Sequence, residues 1–394
     1  MVFIPSVLVL AAISLAEVGS AHPHHAVGSP EFVKRETFVK AAQRSLAGCK
    51  DQLRKRGGLY ERSIARRAAL AEDARSVRGL KRNAPYKRDF DTVLATDHKS
   101  NLTGVTNNTD ADTLFAGNSA CILAPDVTEG PYYVDGEFVR WDIREDQAGV
   151  DLYVDVQVID INTCEPVPDI YIDFWHANAT GVYAGVTAEN NGNGDAANLN
   201  TTFLRGLQPT NEEGVAQWLT VFPGHYTGRT THIHVATHTA ADGTVYPNGT
   251  YKSETVSHVG QIFFDQDLIT QVEALEPYNT NTQELTTNEG DSIMEQESAD
   301  IDPVVSYVLL GDDVSDGIMA WTAFGVNLTN AYTISAAASY YEEGGVANES
   351  SGGMGGGAPG GGQGGPSGSG APPSGSGVPT ASGDLPASSS ASFA

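Results

Sequence analysis

Between residues 150 and 328 the chain returns again and again to short runs in which apolar and polar residues alternate. Residues 150–160 read Val-Asp-Leu-Tyr-Val-Asp-Val-Gln-Val-Ile-Asp, the period of two expected of a strand with one buried face. Residues 170–175, 216–222, 231–236 running on to 235–239, 261–264, 304–310 and 320–328 are further strands by the same criterion. Clusters such as Asn190-Asn191-Gly192-Asn193-Gly194 supply the turns between them. Short strands at this spacing predict an all-β domain, a β-sandwich over residues 121–340.

Upstream the period changes. Val39, Ala42, Leu46, Cys49 and Leu53 recur at three- and four-residue steps, Gly57-Gly58 breaks the run, and residues 59–80 resume it through Ile64, Ala68 and Ala71. Residues 22–88 therefore read as a helical arm, a hairpin of two helices. Residues 89–120 lack periodicity and read as a linker. Residues 344–394 are almost entirely Gly, Ser and Pro, too poor in apolar area to offset the entropy of ordering, and read as a disordered tail. The acidic stretch 295–302 is a loop or short helix with no place in the strand pattern.

The first 21 residues hold an apolar run at 7–15 and end in Gly19-Ser20-Ala21, the form of a secretory signal peptide, although the usual early basic residue is missing. No later stretch is apolar for the length needed to cross a bilayer, and the C-terminus is too polar for a lipid-anchor signal, so the expectation is a soluble secreted protein. Seven Asn-x-Ser/Thr triplets, headed by Asn101, Asn107, Asn178, Asn200, Asn248, Asn327 and Asn348, fit that route. Three cysteines allow one disulfide, and the expectation pairs Cys121 with Cys164.

The net charge of −26 conceals a division. Residues 22–88 carry seventeen of the twenty-three Lys and Arg against six acids, whereas residues 89–394 carry six bases against forty-two acids. Arm and body should attract one another. The acidic body excludes a nucleic-acid binder, since it has little with which to neutralise phosphates. Basic pairs at Lys34-Arg35, Lys81-Arg82 and Lys87-Arg88 leave two readings open: a pro-segment removed after Arg88, or a permanent arm with a solvated basic face.

Candidate chemistry gathers at Phe222-Pro223-Gly224-His225-Tyr226-Thr227-Gly228-Arg229-Thr230-Thr231-His232-Ile233-His234. On a strand, residues i and i+2 share a face, so His232 and His234 point the same way and can bind one ion. Pro223-Gly224 and Gly228 are turn residues able to fold Tyr226 toward them. A tyrosine oxygen beside two imidazoles suits ferric iron better than zinc.

With Asp173-Phe174-Trp175-His176-Ala177-Asn178-Ala179-Thr180-Gly181-Val182-Tyr183, Gly260-Gln261-Ile262-Phe263-Phe264 and Thr128-Glu129-Gly130-Pro131-Tyr132-Tyr133, this stretch resembles the secreted fungal members of the intradiol ring-cleavage dioxygenases, non-haem ferric enzymes related to catechol and protocatechuate dioxygenases. The resemblance spans about residues 121–328. It implies Tyr183 and Tyr226 as phenolate ligands, His232 and His234 as imidazole ligands of one Fe(III) per chain, and Arg229 and Gln261 as catalytic residues. Tyr226 is then the ligand that leaves when substrate binds and takes one of its protons. The resemblance also implies a catechol-type substrate, with O2 inserted between the hydroxyl-bearing carbons to give a cyclic anhydride and then a muconate-type acid. The spacer from Tyr226 to Arg229 is shorter than in the bacterial enzymes, which bears on the shape of the pocket. Trp175, His176 and Phe174 read as core or supporting residues, and His225 and His238 as histidines outside the ligand set. Two other readings remain: a sandwich that binds sugars or aromatics without catalysis, and a copper oxidase using His22 as a free N-terminus.

Overall fold

The computed structural model describes residue 49 and residues 58–80, 120–122 and 130–348, apart from 189–190, 193, 240–242 and 299–301. The signal peptide, His22, the first helix of the arm apart from Cys49, the basic pairs and the tail beyond residue 348 lie outside the described residues.

Among the described residues there are sixteen strands. The first large sheet contains β1 (Ala120–Ile122), β3 (Asp151–Asp160), β6 (Val215–Val221), β12 (Ser306–Leu309) and β13 (Ile318–Val326), in the order β1-β13-β3-β6 with β12 also on β13. The second has the order β11-β7-β4-β5, from β4 (Tyr171–Trp175), β5 (Arg205–Pro209), β7 (His232–His238) and β11 (His258–Phe263). Small pairings surround them: β8 (Thr244–Val245) with β9 (Tyr251–Lys252), β10 (Thr255–Val256) with β14 (Tyr332–Thr333), and β15 (Ala338–Tyr341) with both β2 (Val134–Asp135) and β16 (Gly344–Ala347). The stretch assigned to the tail thus opens with a paired strand, because Gly344–Ala347 lies antiparallel to β15. The α-helices described over their length are α1 (Leu59–Val77), α2 (Gln266–Glu273) and α3 (Ser292–Ser298).

The alternation in β3 explains the layering. Leu152, Val154, Val156 and Val158 face inward and meet Ile172, Phe174, Ile233, Val235 and Ile262 of the second sheet, with Trp218 and Phe324 filling the same core. Burying each such side chain contributes about 1.5–3 kcal/mol over leaving it in water. A polar outer face would ordinarily look to solvent, yet Tyr153 and Asp155 of β3 are buried as well. α1 covers them. Ile64, Ala71 and Ala74 pack on Tyr153, Leu219, Met319 and Trp321.

Asp155 is fully buried beneath this helix. Arg67 Nε donates to its Oδ1 at 3.0 Å, Arg66 Nε to its Oδ2 at 2.9 Å, and Gln217 Nε2 to its Oδ2 at 2.8 Å. Burial alone would raise the Asp155 carboxyl, but Arg67 and Arg66 hold it below the ordinary carboxylate range. Arg62–Glu213 and Arg78–Asp151 pairs flank it. The attraction expected between basic arm and acidic body is realised as specific contacts.

The disulfide corrects the expected pairing. Cys49 is bonded to Cys164, with a Cα–Cα distance of 5.1 Å, and not Cys121 to Cys164. Cys121 lies on β1 opposite Phe324, whereas Cys164 closes the turn after β3 with φ of 59°. Which cysteines meet is decided by where the arm docks, and spacing along the chain does not report that.

Candidate metal centre

β7 divides its side chains between two tasks. Ile233 and Val235 enter the core, while His232 and His234 project from the opposite face of the sheet. The register places Gln261 of β11 beside His234, and Trp175 of β4 on its other side. Trp175 stacks on the His234 ring at 5.0 Å and 6°, fixing its plane.

The two tyrosines arrive on loops that touch backbone to backbone. Gly224 N–H donates to Asn178 O at 3.2 Å. A Cβ at Gly224 would strike Ala179 O, and one at Gly181 (φ 77°) would strike His225 O, so both positions require glycine. Asn178 Oδ1 accepts from Thr180 N and Val182 N at 3.1 Å each, shaping the turn that delivers Tyr183. Arg229 N donates to Tyr226 O at 3.2 Å across Gly228 (φ 86°), setting Tyr226 and Arg229 side by side.

The four side chains converge. His232 Nε2 lies 3.1 Å from His234 Nε2, 3.3 Å from Tyr226 Oη and 3.5 Å from Tyr183 Oη. His232 Nδ1 donates to Thr230 O at 2.6 Å, which leaves its Nε2 lone pair facing the cluster. All four residues are buried. Burial pushes both phenols above their ordinary value. Among the described residues no group of three His, Cys, Asp or Glu side chains can hold a metal, so this centre depends on its tyrosines. Two hard oxygens and two imidazoles aimed at one point fit ferric iron.

Arg229 and Gln261 join the cluster. Arg229 donates through one terminal nitrogen to Gln261 Oε1 at 2.5 Å and through Nε to Asp291 Oδ2 at 2.8 Å, and its other terminal nitrogen lies 3.4 Å from His232 Nε2. Gln261 Nε2 is buried without a partner among the described residues. The remaining histidines serve elsewhere. His225 bonds Glu273 at 2.8 Å, His238 lies near Asp173 at 3.7 Å, and His176 sits between Ala177 O and Thr220 Oγ1, both at 2.8 Å.

Sequence reasoning missed three neighbours. The Tyr132 ring lies 4.7 Å from that of Tyr183, tilted by 33°, and 6.0 Å from that of Tyr226. Arg205, fully buried with Glu137 at 3.6 Å, places its guanidinium 5.9 Å from the Tyr183 ring and donates to Ala184 O and Tyr132 O. Asp291 is the third. The scarcity of bases in the body, six in all, was the available signal for Arg205, and Asp291 had none.

Fold and site together define an oxidoreductase of the dioxygenase class. Residues 124–273 match the family model described as Dioxygenase. An intradiol ring-cleavage dioxygenase from Tetranychus urticae is 31% identical, over 52% of this chain and 95% of that one, with a TM-score of 0.42. The dioxygenase domain of a dioxygenase carbohydrate-binding protein fusion from Streptomyces sp. SirexAA-E is 24% identical, over 52% and 97%, with a TM-score of 0.32. Catechol 1,2-dioxygenase from Pseudomonas arvilla C-1 is 16% identical, over 53% and 61%, with a TM-score of 0.29. No curated protein sequence matched the chain. The chain belongs to the intradiol ring-cleavage dioxygenases, a family that is generally ferric and cleaves catechol-type rings.

Proposed function

We propose that this chain is a secreted Fe(III) enzyme that cleaves uncharged catechols between the hydroxyl-bearing carbons and releases muconate-type dicarboxylic acids. The observation that carries the reading is the convergence of Tyr183 Oη, Tyr226 Oη and His234 Nε2 on His232 Nε2 within 3.1–3.5 Å. Tyr183, Tyr226, His232 and His234 would hold the iron, which would supply Lewis acidity favouring the ionised form of a bound catechol.

The protein's own residues then have separate tasks. Tyr226 sits on the short turn beside Arg229 and is the base placed to take a catechol proton. Arg229 faces the negative charge that develops on the ring. Gln261 Nε2, buried and unpartnered, offers a donor to a substrate oxygen. Tyr132 and Trp175 wall the site and limit water. The two buried arginines near the centre are each matched by a buried acid, Arg229 by Asp291 and Arg205 by Glu137. Neither is spare for gripping a ring carboxylate, which supports an uncharged catechol. Secretion is supported by the N-terminal apolar run, the sequons and a disulfide, a bond at home in oxidising compartments.

The test is metal analysis with a visible spectrum, before and after catechol is added without oxygen, followed by O2 uptake. About one iron per chain and a tyrosinate band that shifts with catechol are the expected results. A colourless protein that stays inactive after ferric reconstitution would sink the reading.

A further inference from the structure

We infer that Asp291 is a positioning residue of the centre: one buried carboxylate sets the direction of Arg229 and, through Thr230, the ring of His232. The inference rests on the proposed function. Asp291 is 0% exposed, and both of its oxygens are fully engaged. Oδ2 accepts from Arg229 Nε and from Thr230 N, each at 2.8 Å. Oδ1 accepts from Ile293 N at 2.9 Å and Met294 N at 2.8 Å in the first turn of α3.

Thr230 is the link. Its N–H goes to Asp291, its hydroxyl donates to Asn288 Oδ1 at 2.6 Å, and its carbonyl accepts from His232 Nδ1 at 2.6 Å. Asn288 is tied in turn to the sheet, donating through Nδ2 to Phe264 O and through its backbone N–H to Gln266 Oε1, both at 2.8 Å. The turn at 288–291 therefore fixes three things at once: the peptide that orients His232, the end of β11 that carries Gln261, and Arg229. The acidic stretch that the strand pattern could not place begins at residue 295, within the helix α3 that follows this turn. A carboxylate also does what a neutral acceptor cannot, because it lets Arg229 stay charged away from water. With Nε held by Asp291 and one terminal nitrogen by Gln261, the guanidinium presents its remaining edge toward His232.

The test compares Asp291→Asn, Arg229→Gln and the double variant. Asp313→Asn serves as control, since Asp313 also accepts a backbone N–H at a helical start but on the exposed surface. Asp291→Asn should lower kcat by about 10- to 100-fold, the usual loss when a residue supporting a metal centre is removed, and speed iron loss to a chelator. In the Arg229→Gln background the same change should cost several-fold less than in wild type, because the share of its effect that passes through Arg229 is already lost and only the Thr230–His232 route remains. Asp313→Asn should leave kcat and iron retention unchanged. Should Asp291→Asn fail to fold, Asn288→Ala carries the test, with faster iron loss expected because Thr230 loses its hydroxyl partner. Wild-type kcat and iron retention in Asp291→Asn, or single effects that multiply in the double variant, would overturn the inference while a working wild-type enzyme leaves the functional reading standing. A wild-type protein that neither holds iron nor cleaves catechol overturns both.

Discussion

Replacing Cys49 and Cys164 together with serine tests whether the basic arm is a disposable segment or part of the folded enzyme. The bridge spans 115 residues of sequence. Loop-closure entropy for a loop of that length is worth about 5 kcal/mol at 25 °C, and measured disulfides more often deliver about 2–4. The helix α1 itself should stay docked, since lifting it off would strip a fully buried Asp155 of Arg66 and Arg67, a change that costs about 3–5 kcal/mol when one partner of a buried pair is removed outright. For a domain of this size a loss of 3–4 kcal/mol lowers Tm by on the order of 10 °C. Thermal unfolding of the oxidised wild type and the double serine variant, followed by circular dichroism, measures the shift. Cleavage after Arg88, were it to occur, would leave the arm attached, so a nicked sample should run as one species without reductant and as two with it. An unchanged Tm, or a peptide map that finds Cys121 in the bridge, would refute the reasoning.

Tyr226→Phe should cut turnover by about 10²-fold or more and remove part of the visible band, since one oxygen donor and one base are lost together; an unaffected function would favour a binding module. Burial depresses the His258 imidazole to about 3 and that of His176 to about 4. Both bind a proton more readily when unfolded, so their contribution is intact above about pH 6.5 and is lost as the pH falls toward those values. At pH 5 each should cost about 2 kcal/mol, and His258→Gln should flatten the urea-midpoint profile between pH 7 and 5 relative to wild type. Asn178 donates through Nδ2 to Gln147 while its Oδ1 shapes the Tyr183 loop, whereas Asn200 and Asn248 are exposed. Glycopeptide mass spectrometry should therefore find glycan at Asn248 or Asn200 and none at Asn178.

The strands of the two large sheets were legible because alternation reports one buried face, and β3, β7 and β13 lie within a residue or two of their sequence expectations. The alternation misled only in suggesting a solvated outer face for β3, since a helix far upstream covers it. β5 carried no such signal: Arg205-Gly206-Leu207-Gln208-Pro209 does not alternate cleanly, and its buried arginine reads locally as a surface residue. His232 and His234 were visible as a pair because they sit two apart on one strand. The loop contacts at Gly181 and Gly224 that bring Tyr183 and Tyr226 together were not, because close backbone approach is a tertiary fact. Asp291 was illegible for the same reason. It lies 62 residues from Arg229, and nothing in Asn-Glu-Gly-Asp-Ser separates a buried partner from an ordinary turn.

The sandwich places two buried polar assemblies on opposite outer faces. The Arg66–Arg67–Asp155 group lies on the β3 and β6 sheet, and the Tyr183–Tyr226–His232–His234 centre on the β4, β7 and β11 sheet, with the apolar core of Val154, Val156, Phe174 and Val235 between them. Such a core transmits packing strain, and two hydrogen bonds that cross it, Trp218 Nε1 to Gly206 O at 3.2 Å and His176 Nε2 with Thr220 Oγ1 at 2.8 Å, involve neither Asp155 nor the four site side chains. Stability and chemistry should then separate. Loosening the arm lowers the melting temperature while iron content and kcat, measured well below it, stay those of wild type, whereas changes at Asp291 or Tyr226 act on the centre first. Loss of the visible band in the double serine variant at low temperature would mean that the faces are coupled, and that the arm holds the metal centre as well as the fold.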